Sequence, residues 1–322
     1  MMVATRHDLG ALVSRRPLAP TPAQTARIGQ YGRGEERFDV FERDARLMIV
    51  RPDGRVAEMR PFRQDRYYLS PHAGSPGDPL EQIAFATPEA GAARLSWKRR
   101  RYVRRDFGAE AIAIFQSSLS SMIAEPTGTA RLPASGLRRP ALIAVSDVAP
   151  GIREDMRYAT ADNFLGFPVY DRPEAYLHHP VAEALGGIDR ALGRMGYGLV
   201  IHDAYRPWAV TKLFWDNVPE PFHALVADPA RGSVHNRGCA VDVTLWDRDT
   251  GQAVEMPGRY DEPTSRSARD YIGGSSQQRW LRDLLGLTMA RGGFTGHPAE
   301  WWHFDFRGWE KVAVENVPLE RL

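Results

Sequence analysis

The chain reads as α+β, a small all-β region followed by a larger domain that mixes helices and strands. Three observations predict this. The 322 residues are 43% hydrophobic and 25% charged, a globular composition with length for one large domain or two ordinary ones. Residues 37 to 106 carry short apolar-alternating runs broken by turn residues, the period-2 mark of half-buried strands. After Pro140, segments of helical period interleave with apolar runs bounded by Gly and Pro.

Taken in order, residues 1 to 36 mix Pro, Ala, Thr, Gly and Arg without period and are expected to form a flexible arm. FDVFERDARLMIVRPDGRVAEMRPF places two alternating runs around Pro52-Asp53-Gly54, a hairpin signal. DRYYLS, QIAFAT and ARLSWKRRRYVRR continue in kind, which gives residues 37 to 106 as a small antiparallel β domain. The basic, aromatic-bearing SWKRRRYVRR suits either a polyanion or a strand with one solvated basic face. The near-neutral chain favours the second. Residues 107 to 140 start with a helix-like AEAIAIFQSSLSSMIA and end in the linker-like TGTARLPASGLRRP. A larger domain of mixed helices and strands is expected over residues 141 to 322. There VAEALGGIDRALGRMG has helical spacing and a Gly stop, YGLVIHDAY is a strand, and Pro207 opens a helix. GCAVDVTLWD is a second strand, SSQQRWLRDLLGLTMARGGF a further helix, and EWWHFDF a third strand.

Composition also excludes classes of function. A formal net charge of +2 gives no global field toward nucleic acid or anionic lipid. One cysteine rules out an intrachain disulfide framework. No run of eighteen apolar residues offers a membrane span. The first residues, MMVATRHDLGALVSRRPLAPTP, contain no apolar core of a signal segment, so a cytoplasmic protein is expected. The expected partner is a small molecule, and the oligomeric state is not set by the sequence.

Three segments carry chemistry. SVHNRGCAVDV, residues 233 to 243, holds His235, Asp242 and Cys239. It reads as two metal ligands, as a thiol nucleophile beside a base, or as a tight turn into a buried strand. A His and an Asp seven positions apart converge if the His leaves a turn and the Asp sits on the next strand. EWWH puts Glu300 and His303 among large aromatics, where an unpaired charge is costly. That pairing suits a His ligand beside a carboxylate that moves the proton of an attacking water. IHDAYRP delivers Asp203, Tyr205 and Arg206 at a strand end, where sites tend to be built. Arg206 there is a permanent cationic fork for an oxyanion, or a brace for Asp203.

Together S-x-H-x-x-G-x-A-x-D at 233 to 242, E-x-W-H at 300 to 303, D-x-Y-R-P at 203 to 207 and MRYATADNFLGFPVY at 156 to 170 resemble the zinc D-alanyl-D-alanine dipeptidases. This is the VanX-type branch of a peptidase family that includes zinc D,D-carboxypeptidases and shares a fold with hedgehog amino-terminal domains. The resemblance covers residues 141 to 320 and none of residues 1 to 140. It implies a central, mainly antiparallel sheet flanked by helices, and one Zn2+ per chain held by His235, Asp242 and His303. It makes Glu300 the general base and acid and Arg206 the stabiliser of the tetrahedral intermediate. Ser233 falls near the substrate carboxylate, Asp261 at the substrate ammonium, and Tyr158 and Asp203 where the closed pocket is shaped. The implied reaction is hydrolysis of D-alanyl-D-alanine or a closely similar dipeptide. The alternatives are a zinc D,D-carboxypeptidase or endopeptidase of peptidoglycan, and a non-catalytic zinc module. Two departures bear on substrate choice: Val234 stands where a hydroxyl residue is common, and SRSARDY lacks the family's frequent Ser-His pair. Cys239 falls where the family has merely a small residue.

Overall fold

The computed structural model describes residues 9–70, 81–86, 92–119 and 136–322. The chain divides into two compact units, Met1–Glu110 with Asp270–Arg282, and Ala111–Arg269 with Asp283–Leu322.

In the first unit two short helices, α1 (Leu9–Val13) and α2 (Pro22–Thr25), precede eight strands. These are β1 (Gly29–Tyr31), β2 (Phe38–Arg43), β3 (Arg46–Val50), β4 (Val56–Arg63), β5 (Arg66–Leu69), β6 (Gln82–Ala86), β7 (Arg94–Trp97) and β8 (Arg100–Arg105). They pair antiparallel in sequence order, and β1 also pairs with β8, which closes a barrel. Closure satisfies both edges that an open sheet would leave unpaired. The alternation seen in the sequence supplies the interior, where Phe38, Val40, Ile49, Met59, Leu69, Ile83 and Leu95 pack together.

Two readings of this region need correction. The arm expected over residues 1 to 36 is not featureless in its described part: Gly29–Tyr31 is a barrel strand, with Tyr31 fully buried and its hydroxyl donating to the Arg27 carbonyl over 2.8 Å. Three residues are too few to show a period, so the strand was hidden. The run before Pro52 is two strands, broken at Asp44 and Ala45 by positive φ values of 51° and 62°. The turn at Pro52-Asp53-Gly54 joins β3 to β4 as expected, with Val50 opposite Val56. In SWKRRRYVRR, Lys98 and Arg99 form the β7–β8 turn, Arg100 and Arg101 face solvent, and Tyr102 is buried. Residues 120–135, which hold most of the expected linker, lie outside the described residues.

A helix, α3 (Phe107–Ser118), spans the division between the units. The second unit then runs β9 (Leu142–Ala144), α4 (Val145–Val148), β10 (Arg153–Glu154), β11 (Tyr176–His178), α5 (His179–Gly193), β12 (Tyr197–Asp203), α6 (Trp208–Asn217) and β13 (Ala240–Asp247). Strands β14 (Phe294–Gly296) and β15 (His303–Phe306) complete it, and helix α7 (Ser276–Arg291) falls in the first unit up to Arg282 and in the second from Asp283. Five strands form one sheet in the order β10-β12-β13-β15-β14, in which only β10 and β12 run parallel. Strands β9 and β11 pair separately. The fold is thus a mixed arrangement of helices and sheets. Strand β12 is buried at every residue, which is why it reads as a continuous apolar run rather than an alternation. Helix α5 lies against it through Val181, Leu185, Ile188 and Leu192, spaced at 3 and 4 on one face.

The register of three central strands positions the site. Asp203 on β12 is opposite Asp242 on β13, and Asp242 is opposite His303 on β15. Directly opposed residues project from the same face of a sheet, so one row carries all three groups. A register irregularity between Ile201 and Asp203 brings Asp203 into that row.

Candidate metal centre and active site

His235 enters the row from a 3-10 turn, His235–Arg237, that leads into β13. The turn closes on Gly238 at φ 61°, a left-handed conformation that L side chains avoid. A Cβ there would stand 2.6 Å from the Leu142 side chain and 2.8 Å from the His178 backbone nitrogen. Glycine is therefore required both by the turn and by close packing.

Three donor atoms converge. His303 Nδ1 lies 3.0 Å from Asp242 Oδ1, His235 Nε2 lies 3.1 Å from His303 Nδ1, and His235 Nε2 lies 3.4 Å from Asp242 Oδ1. The outward nitrogens fix what the inward ones present. His235 Nδ1 is 2.7 Å from the Ala204 carbonyl, which can only accept, so Nδ1 carries the proton and Nε2 presents a lone pair. His303 Nε2 donates in the same way to Asp305 Oδ1 over 2.9 Å, leaving Nδ1 facing inward. Two imidazole lone pairs and a buried carboxylate oxygen then face one point, an arrangement that calls for a cation. The His303 pKa reports the same demand. Without a metal ion, burial opposes charging the ring, but hydrogen bonds that the protonated ring donates to Asp242 and Asp305 prevail and carry it to about 10. Burial alone would raise Asp242, yet His235 and His303 hold its carboxyl well below the ordinary range. His235, Asp242 and His303 form the one cluster of metal-ligating type found among the described residues.

The remaining groups line a cleft around this cluster. Glu300 lies just before β15, with Oε2 3.9 Å from His303 Nδ1 and 31% of its side chain exposed. It is beside the cluster without belonging to it. Arg206, buried and lining the cleft, donates through Nε and Nη2 to Asp203 Oδ2 at 3.0 and 2.6 Å. Its guanidinium lies 4.6 Å from the centre of the Phe214 ring and 5.4 Å from that of Tyr158. Asp261 also faces the cleft, at φ 56°, and accepts from the Tyr158 hydroxyl at 3.1 and 3.3 Å. Burial and the neighbouring Asp242 charge push the Asp261 carboxyl well up, and a cation placed beside it would favour the charged carboxylate. Ser233 lines the cleft and its oxygen accepts from the His235 amide over 3.2 Å, leaving its O–H to donate.

Of the residues named from sequence, the structure brings Ser233, His235, Asp242, Glu300, His303, Arg206, Asp261 and Tyr158 to one cleft. Asp203 stands apart. It is fully buried behind Arg206, accepts from the Tyr170 hydroxyl over 2.7 Å and from its neighbour Ala204, and does not line the cleft. Its part is to hold the arginine. Cys239 does not line the cleft either, and burial pushes its thiol up to about 12. Sequence reasoning missed Tyr260, whose hydroxyl donates to Asp242 Oδ2 over 3.0 Å, and Asp305 behind His303. It also missed Asn236, which donates to the Arg206 carbonyl and to Thr211 Oγ1 and accepts from the Ser233 amide. Asp305 was findable, because strand alternation puts it on the face of His303 two residues earlier. Tyr260 and Asn236 carry no such local signal.

The chain is similar to known proteins over its second half. A family model described as D-Ala-D-Ala dipeptidase matches residues 138–315. The D-alanyl-D-alanine dipeptidase of Escherichia coli (strain K12) is 34% identical over 164 residues, which are 51% of this chain and 83% of that protein. Those of Enterococcus faecium and Streptomyces coelicolor (strain ATCC BAA-471 / A3(2) / M145) are each 32% identical, over 181 and 189 residues. In both cases the match spans 51% of this chain and 90% of the relative.

Proposed function

The chain belongs to the D-Ala-D-Ala dipeptidase family of metallopeptidases, and from that premise we propose that residues 141–322 hydrolyse D-alanyl-D-alanine, or a closely similar small dipeptide, with one zinc ion. The observation that carries this reading is the inward triangle of His235 Nε2, Asp242 Oδ1 and His303 Nδ1, with edges of 3.0 to 3.4 Å. Ligand atoms about 2.0–2.1 Å from one tetrahedral ion stand about 3.3–3.4 Å apart, so the donors need little movement to bind zinc. Bound there, zinc would supply Lewis acidity toward the amide carbonyl and bring the pKa of water toward about 7.

The protein's own groups do the rest. Glu300 takes a proton from the attacking water and returns it to the departing amine, since its carboxylate lines the cleft 3.9 Å from His303 Nδ1. Arg206 faces the charge that develops on the carbonyl oxygen, held rigid by Asp203 so that little reorganisation is needed. Asp261 pairs with the free ammonium of the substrate and Ser233 with its free carboxylate, which together measure a dipeptide. The domain layout follows the same reading, with a hedgehog-like catalytic fold over residues 141 to 322 and a β domain that begins at Gly29 rather than at residue 37. Residues 107 to 140 would then be a helical piece and linker. No nucleic acid enters the reaction, and among the described residues no helix is long and apolar enough to cross a membrane.

The test is turnover of free D-Ala-D-Ala against muropeptides by purified protein, with zinc counted per chain and with chelator added. Hydrolysis of the free dipeptide that chelator abolishes, and that Glu300→Ala lowers by roughly 10²- to 10⁴-fold, supports the reading. Glu300→Ala with full activity, or preference for muropeptides, refutes it.

A further inference from the structure

The cleft extends well beyond what D-Ala-D-Ala needs. Its volume is about 540 Å³. The dipeptide has about eleven non-hydrogen atoms, and even at the roughly 30 Å³ that a water molecule takes in the liquid these fill only about 330 Å³. The extra space has a particular lining. Phe115, Phe164, Phe214 and Leu225 form an apolar wall, continued by Ala224, Val226 and Ala227, and no titratable side chain interrupts that set.

The wall starts at the reacting groups and leads away from them. Phe214 lies under the Arg206 guanidinium and 4.9 Å from Tyr158, whose hydroxyl holds Asp261. Phe164 packs edge-on against Phe214 at 5.0 Å and against Tyr158 at 6.0 Å, and Phe115 packs edge-on against Phe164 at 5.8 Å. The wall therefore adjoins the carboxylate placed at the substrate ammonium. Phe115 comes from α3 and so lies outside residues 138–315, the stretch matched by the family. It is held in place by Gln116, which donates to the Asn163 carbonyl over 3.0 Å, and by an edge-on contact with Phe222. The segment ahead of the family domain thus completes the cleft of that domain.

We propose that this wall receives the side chain of the substrate's amino-terminal residue, and that the preferred substrates are D,D-dipeptides with an apolar side chain larger than methyl at that position. The proposal rests on the dipeptidase reading above. The arithmetic favours it, because a single methylene placed in an apolar pocket changes kcat/KM by about 10- to 200-fold.

The test compares kcat/KM for D-Leu-D-Ala, D-Ala-D-Leu and D-Ala-D-Ala on the zinc-loaded full chain and on Phe115→Ala. The expected result is a D-Leu-D-Ala to D-Ala-D-Ala ratio above about 10, no such gain for D-Ala-D-Leu, and a fall of that ratio of at least about fivefold in Phe115→Ala. Both substrates are read on one sample, so a partly unfolded variant lowers both rates and leaves the ratio intact. D-Ala-D-Ala turnover with no gain for D-Leu-D-Ala, or a ratio that Phe115→Ala does not move, overturns the proposal and leaves the dipeptidase reading standing. Absence of hydrolysis with all three dipeptides overturns both.

Discussion

Asp242 on β13 and His303 on β15 are direct cross-strand partners, and their inward atoms stand 3.0 Å apart. The ligand pair is thereby part of the sheet itself. A strand pairing that also supports the core fixes two of the three groups of the candidate metal cluster, and a one-residue slip of either strand would leave them on opposite faces. The third, His235, is held by the Ala204 carbonyl from the neighbouring strand end.

The carboxylate behind His303 is the simplest place to test this rigidity. Asp305 accepts from the outer nitrogen of the ring and keeps Nδ1 inward. Asp305→Asn is expected to weaken zinc binding by about 10- to 100-fold, read by competition with a chromophoric chelator. Affinity equal to that of the parent protein would show that the ring is oriented by packing alone.

Arg206 and Asp203 form a two-point fork that a lysine cannot reproduce. Arg206→Lys keeps the charge but loses that geometry, and kcat on D-Ala-D-Ala should fall by about 10²- to 10³-fold while zinc content stays at one per chain. A loss confined to KM would place the arginine in ground-state binding instead.

Cys239 is 1% exposed, and burial lifts its thiol from 9.0 to about 12. A folded-state pKa above the unfolded one keeps the thiol protonated as pH rises from 7 to 9. Iodoacetamide should leave the native protein unmodified across that range and label it fully in denaturant, as counted by intact-protein mass. Rapid labelling of the native protein would contradict the buried placement.

Gly238→Ala meets both a left-handed backbone and a Cβ position 2.8 Å from the His178 nitrogen. Strain of about 1–2 kcal/mol from the dihedral and about 1–3 kcal/mol more from overpacking predict a loss of about 2–5 kcal/mol. Thermal unfolding of the metal-free protein reads it, and an unchanged Tm would be inconsistent with the turn described.

Much of this was legible in the chain, for identifiable reasons. The alternation of residues 38 to 105 announced strands because each has one buried face, and β12 announced itself by the apolar run from Tyr197 to Ile201. His235, Asp242, Glu300 and His303 stood out because metal ligands and bases need particular side chains at short spacings. The three-residue strand β1 was invisible, since a period cannot be read from Gly29, Gln30 and Tyr31. The resemblance puts Asp203 where the pocket is shaped and IHDAYRP also allows it as a brace for Arg206; which of these contacts it makes is set by packing, which places it against the guanidinium.

The sequence by itself determined the chemical inventory of the site and the two textures of the chain, because side-chain chemistry and hydrophobic period are local properties. Tertiary structure alone decided that Tyr260 donates to Asp242, that Asn236 ties Arg206 to the His235 turn, and that Phe115 reaches the cleft from outside the family domain. Those contacts span 18 to over 100 positions of chain. Register, turn geometry and packing bring such residues together, and no local pattern encodes their meeting.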